Sequence, residues 1–170
     1  MVDVANVMGS RPDGWWRDRA GAAIRLRDEL SPLITAGITR LPDGAGDPPA
    51  PASGTGLPVA DGRLESRAAD QSEARRAPRR EATLRMTWLP DIVLVVEGAA
   101  RPAVADASGA DAARSVRMVA AAGSGDDLIA ELAAETAGRR IVVTADRELR
   151  RRVVAAGASV AGPSWILGAL

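Results

Sequence analysis

Apolar positions in this chain fall into short runs, separated by stretches with a helical period. IVLVV at 92–96, VRMVA at 116–120 and IVVTA at 141–145 are rich in β-branched residues and lack strict alternation. Parallel strands covered on both faces read this way. ASVAG at 158–162 is a weaker run of the same kind, and MVDVANV supplies another at the N-terminus. Between the runs lie helices. Residues 15–30, WWRDRAGAAIRLRDEL, set Ala20, Ala23, Ile24, Leu26 and Leu30 apart from the charged positions, an amphipathic spacing. Pro32 predicts an end close by. Residues 124–137, SGDDLIAELAAETA, start with Ser124, a capping type, and acidic first-turn residues. They carry Leu128, Ile129, Leu132 and Ala133 inward, and Gly138 is a natural stop. Residues 147–156, RELRRRVVAA, form a shorter helix closed by Gly157.

The predicted order is therefore strand–helix–strand–strand–helix–strand–helix–strand. Short links in the C-terminal half predict an α/β fold, a Rossmann-like three-layer sandwich with a mainly parallel central sheet. At 170 residues the chain is expected to be a single domain spanning 1–170. The text from 41 to 60, LPDGAGDPPAPASGTGLPVA, holds too much Pro and Gly to pack, and predicts a flexible insert over about 41–88. Within it, 62–85 carries a helical pattern interrupted at Pro78. Its RRAPRR segment reads first as a solvated charge run and second as a phosphate contact.

Composition narrows the chemistry. Acidic and basic residues balance at 22 each, so no overall field draws the chain to nucleic acid or membrane, although separated patches can. The absence of Cys excludes disulfides and thiolate sites. The absence of His removes the usual neutral-pH base and the commonest transition-metal ligand. A metal here would be held by carboxylates, Asn and water, which suits Mg²⁺ or Mn²⁺ better than Zn²⁺. With no signal peptide and no transmembrane run, a cytoplasmic location is the default expectation.

The acidic residues gain meaning when placed against the strands. Asp3 and Asn6 fall at the end of the first run, and Glu97 ends the second. Asp126 and Asp127 follow the third, and Asp146 follows the fourth. In a parallel sheet all of these lie at the carboxyl ends of the strands, where open α/β sheets bind ligands. A structural reading stands beside this one. Asp126 and Asp127 also suit the N-terminus of their helix, and Asp146 suits the N-cap of 147–156. Clustered carboxylates repel one another unless a cation compensates, so convergence points to a hard divalent ion and to phosphodiester hydrolysis. That reaction needs no protein nucleophile. Thr144 and Ser124 are hydroxyls that fit orientation of a phosphate or water, and fit ordinary strand-end and capping roles equally well.

Basic residues complete the pattern. Arg11, Arg17 and Arg19 follow the first strand, and Arg147, Arg150, Arg151 and Arg152 follow Asp146. Both groups are expected near the same edge, as anchors for a polyanion. Trp15 and Trp16 are adjacent, so both cannot face the core of one helix. One is expected inward, and the other covers a seam or stacks on a base. Only Met1 and Val2 precede Asp3, which predicts a truncated first strand and makes Asp3 the most loosely held member of the set.

VDVANVMGSRPDGWWRDRAG, IVLVVEGAA, GSGDDLIAEL and VVTADRELRRRV, in that order, resemble the NYN branch of the PIN-like nuclease superfamily. Within it, the YacP-like proteins of actinobacterial type are most similar. The resemblance covers the chain outside 41–88. It implies a PIN-like fold and a Mg²⁺- or Mn²⁺-dependent ribonuclease. It also implies a catalytic set of Asp3, Asn6, Glu97, Asp126, Asp127 and Asp146, with Asp3, Asp126 or Asp127, and Asp146 as metal carboxylates. Val4 stands where relatives often have Gly. RNA is the expected partner, a homodimer is compatible, and a membrane is not expected. Two alternatives remain: a non-catalytic RNA-binding or protein-interaction module of the same fold, and a Toprim-like phosphotransfer domain. VVEG resembles the first acidic Toprim motif, but the later D-x-D is replaced by an adjacent DD.

Overall fold

The computed structural model describes residues 1–42, 87–107 and 115–170. These all belong to one compact unit, Met1–Pro48 with Met86–Leu170. Residues 43–86 of the expected insert, with the 62–85 pattern and RRAPRR, lie outside the described residues.

Five strands form the sheet: β1 (Val2–Asp3), β2 (Val93–Val96), β3 (Arg117–Ala120), β4 (Ile141–Val143) and β5 (Ser159–Ala161). Their order is β3-β2-β1-β4-β5, and every pairing among them is parallel. The helices are α1 (Val4–Gly9), α2 (Arg19–Ala36), α3 (Gly125–Glu135), α4 (Arg147–Ala155) and α5 (Pro163–Leu167). Two 3₁₀ segments, Trp15–Arg17 and Gly98–Ala107, complete the described elements.

The apolar runs of β2 and β4 are explained by two cores, one on each face of the sheet; β3, expected to be covered on both faces, is an edge strand that exposes Arg117 and Ala120. Leu94 and Val96 of β2 point into a core shared with Val4, Val7, Leu26, Leu30 and Ile166, from α1, α2 and α5. Val95, between them, points into the other core with Ile129, Ala133, Leu149 and Val153, from α3 and α4. Successive residues of a strand face opposite sides, so a strand buried on both must be apolar throughout. The result is a three-layer α/β sandwich with a parallel central sheet.

Several expectations are corrected. The first apolar run does not continue as a strand: β1 ends at Asp3 and Val4–Gly9 is helical. Val4 and Val7 are fully buried on α1, so helical spacing serves this packing better than alternation. Asn6 consequently lies on the helix and not at a strand end. The 15–30 pattern becomes a 3₁₀ turn followed by α2, which passes through Pro32 to Ala36. Pro32 and Asp28 are both exposed, so the Asp28 carbonyl that loses its partner faces water. Leu33 and Ile34 beyond it are buried, and their burial carries the helix onward. Gly37 then ends α2 with φ +76°, where a Cβ would lie 2.3 Å from the Thr87 methyl. This close approach lets Ile38 and Trp88 exchange backbone hydrogen bonds of 2.8 and 2.9 Å, which ties together the two ends of the chain that flank 43–86.

The Gly98–Ala107 segment and α5 were not expected. Pro102 and the small residues of GAARPAVADA give little helical periodicity, and α5 is only 5 residues long. The 141–145 run is strand only to Val143. Helix α4 stops as predicted: the N–H of Gly157 donates to Val154 O and that of Ala158 to Val153 O, a left-handed helix stop.

Candidate carboxylate site at the carboxyl edge of the sheet

Because the strands are parallel, Asp3 at the end of β1, Glu97 directly after β2, Asp126 beyond β3 and Asp146 beyond β4 share one edge. Between β1 and β4 the strand order reverses direction. Such a reversal opens a crevice between the loops leaving neighbouring strands. Asp3 and Asp146 follow the two strands that flank it.

Asp3 is only 5 % exposed. Its Oδ1 accepts from the Asn6 backbone N–H at 3.1 Å, which makes it the N-cap of α1. Its Oδ2 accepts from Asn6 Nδ2 at 2.6 Å and from the Thr144 hydroxyl at 2.8 Å. Thr144 is fully buried, and its oxygen also accepts from the Asp146 N–H at 3.1 Å. Asn6 Oδ1 accepts from the Ala145 N–H at 3.3 Å. A closed network thus spans the β1–β4 crevice. Asp3 is the most constrained carboxylate of the set, contrary to expectation. β1 needs little length because it lies between two strands: Met1 O accepts from Val143 N and Met1 N donates to Ile141 O, at 3.0 and 2.8 Å.

The other carboxylates also serve helix ends. Asp146 Oδ1 accepts from the Leu149 N–H at 2.7 Å and caps α4, as its position predicted. Ser124 occupies the N-cap of α3 but makes no side-chain capping bond. Instead, Glu97 Oε2 accepts from the Gly125 N–H at 2.6 Å. Of the adjacent pair, Asp127 pairs with Arg152 of α4 at 2.8 Å. Asp126 has no hydrogen-bond or ion-pair partner among the described residues. Its carboxyl is held above the usual range, first by burial and then by the charges of Asp3, Asp146 and Glu97, with Arg152 opposing. Carboxylates following β1, β2 and β4 therefore act on Asp126.

The basic residues divide. Arg11 pairs with Glu29 of α2 at 2.7 Å, and Arg151 pairs with Glu148 within α4. Arg19 lies over the Trp15 ring at 5.3 Å. Arg17, Arg147 and Arg150 are exposed, with no ion-pair partner among the described residues. Trp15 packs on the core, while Trp16 is 56 % exposed and meets it edge-on at 6.3 Å.

Sequence reasoning left the role of Thr144 open and missed that of Glu97. Of the two roles that suit Thr144 in sequence, the structural one is seen: it is fully buried and bonds Asp3 and the Asp146 N–H. The T-x-D spacing after an apolar run was the available signal. No signal in the sequence tied Glu97 to Gly125, 28 positions away.

The all-oxygen donor set fits a hard divalent cation in kind. Among the described residues, however, no group of three or more acidic residues is gathered closely enough to hold an ion. Two hollows lie elsewhere among the described residues. One of about 490 Å³ is lined by Thr39, Arg40, Trp165 and neighbours. One of about 360 Å³ lies at the amino ends of the strands, against Met1, Ile92, Arg117 and Ile141. No helix among the described residues is long and apolar enough to cross a membrane. Compared with known proteins, the chain matches no family model, no curated protein and no solved structure.

Proposed function

We propose that this chain is a Mg²⁺- or Mn²⁺-dependent nuclease that hydrolyses RNA phosphodiester bonds at the carboxyl edge of its sheet. This is the activity implied by the resemblance to PIN-like NYN proteins. The observation that carries the reading is the placement of Asp3, Glu97, Asp126 and Asp146 at one edge of a parallel sheet, where burial and then the charges of the other three raise the Asp126 carboxyl. A carboxylate raised by its neighbours is a site where a cation would relieve repulsion.

Asp3, Asp126 and Asp146 would have to draw together to hold the ion, since they are not gathered closely enough as they stand, and Asp127 would join only by leaving Arg152. When bound, the ion would supply an activated water and neutralise phosphate charge. The chain's own residues fix the frame for this. Asn6 and Thr144 lock the Asp3 carboxylate in one orientation, and Thr144 ties it to the Asp146 backbone. Exposed Arg147 and Arg150 fit a phosphate backbone.

The second reading is an RNA-binding module of the same fold, without catalysis. It is favoured by the absence of a gathered three-carboxylate group among the described residues. A cleavage assay on RNA and DNA with Mn²⁺, EDTA and D146N controls separates the two. The nuclease reading expects Mn²⁺-dependent cleavage of RNA, abolished by EDTA and by D146N. Retained RNA binding without cleavage under any ion would establish the module instead, and such binding should weaken with salt.

A further inference from the structure

We infer that Glu97 is a positioning residue for Asp126 and not a ligand of the ion or substrate, a role that rests on the carboxylate edge being the working site. The sequence groups Glu97 with the other acidic residues because it ends a strand. In the structure its carboxylate is committed elsewhere. Helix α3 begins at Gly125 with no bond from the Ser124 side chain, so its first N–H groups lack the usual cap. Glu97 supplies the acceptor from another strand, at 2.6 Å from the Gly125 nitrogen. Charged acceptors make the stronger bonds of this kind.

A side chain at residue 125 would press on this contact. A Cβ there would lie 3.0 Å from Glu97 Oε2 and 3.3 Å from its Cδ, tighter than ordinary contact. Gly125 is buried, so the carboxylate closes over the helix start. The next residue is Asp126. Glu97 thereby pins the first turn of α3 to the end of β2 and fixes where Asp126 enters the carboxylate set. A glutamine at 97 keeps a carbonyl acceptor for the same bond but cannot replace a carboxylate ligand. This difference makes the two roles separable.

The test combines amide exchange of α3 with the Mn²⁺-induced rise in Tm, for the full chain and for E97Q, E97A and G125A. Removal of a cap of ordinary strength should speed exchange of the first α3 amides about 5- to 30-fold in E97A. G125A, which asks the exposed Glu97 side chain to give by only a few tenths of an ångström, should change exchange less than E97A, and E97Q should stay within about threefold of the parent. The Mn²⁺ response should be lost in E97A and restored in part in E97Q, which keeps the acceptor but not the charge that Glu97 adds at Asp126. Loss of that response in E97Q with the α3 amides still protected would make Glu97 a direct ligand and overturn the inference. Unchanged exchange in E97A would overturn it as well. No Mn²⁺ response in the parent chain would count against the metal reading alone, because amide exchange reports the cap without any ion.

Discussion

The two edges of the sheet are built on opposite terms. At the carboxyl edge, charge is concentrated and fastened: Asp3, Glu97 and Asp146 each accept a backbone N–H at the start of a helix. At the amino edge there is space instead, a hollow of about 360 Å³ bordered by Trp88, Arg139, Arg140 and Ile166. Arg139 lies over the Trp88 ring at 4.4 Å. Arg140 spends its guanidinium on the carbonyls of Ala133, Thr136 and Gly157. There the cations are used to close helix ends and loops. The contrast teaches that a cavity and a chemically loaded site need not coincide. Carboxylates held by caps are preorganised without being enclosed.

Substitutions can break this contrast. The largest effect is expected at Asp3. D3A removes the α1 cap and leaves the Thr144 hydroxyl and Asn6 amide without their acceptor. It should cost about 2–4 kcal/mol in urea or thermal unfolding. A cost near zero would mean that the buried network is not structural. At the opposite edge, W88A removes a ring stacked under Arg139 and should cost about 1–2 kcal/mol. It should leave any Mn²⁺ response intact, and loss of that response would join the two edges functionally.

Smaller effects sharpen the comparison. Because the Asp126 carboxyl is raised in the fold above 3.8, the folded chain binds more protons than the unfolded one just above that pH. Its contribution to stability is therefore present at low pH and lost as pH rises through the folded value. D126N should raise Tm slightly at pH 7 without divalent ions, although the first-turn charge of α3 favours the parent. The gain should vanish near pH 3, where both chains are neutral at this position. A lower Tm for D126N at pH 7 would show that repulsion does not dominate there. The smallest effect belongs to S124A. Ser124 makes no capping bond, so its loss should stay within about 0.5 kcal/mol, well below an ordinary cap.

Much of the frame was legible in the sequence. Runs rich in β-branched residues without strict alternation pointed to parallel strands, which holds for β2, β3 and β4, but of these only β2 and β4 are covered on both faces, and edge strand β3 exposes Arg117 and Ala120. Asp146 was read as a cap and caps α4. Local patterns failed where packing overruled them. Pro32 lies inside α2 because buried Leu33 and Ile34 outweigh one missing bond on a wet face. Val4–Gly9 is helical because Val4 and Val7 meet the same core.

The sequence by itself determined which groups can act: oxygen donors and guanidiniums, with no imidazole or thiol, placed after successive strands. Tertiary structure decided their roles. Only the strand order β3-β2-β1-β4-β5 sets β1 between two partners, and so makes the residue expected to be loosest the most tightly bound. Only the packing of α3 against β2 brings Glu97 to Gly125 and leaves Asp126 facing its neighbours. A carboxylate's chemistry is fixed by its covalent structure. Its charge state and orientation depend on burial and hydrogen-bond partners, and these come from residues distant in the chain.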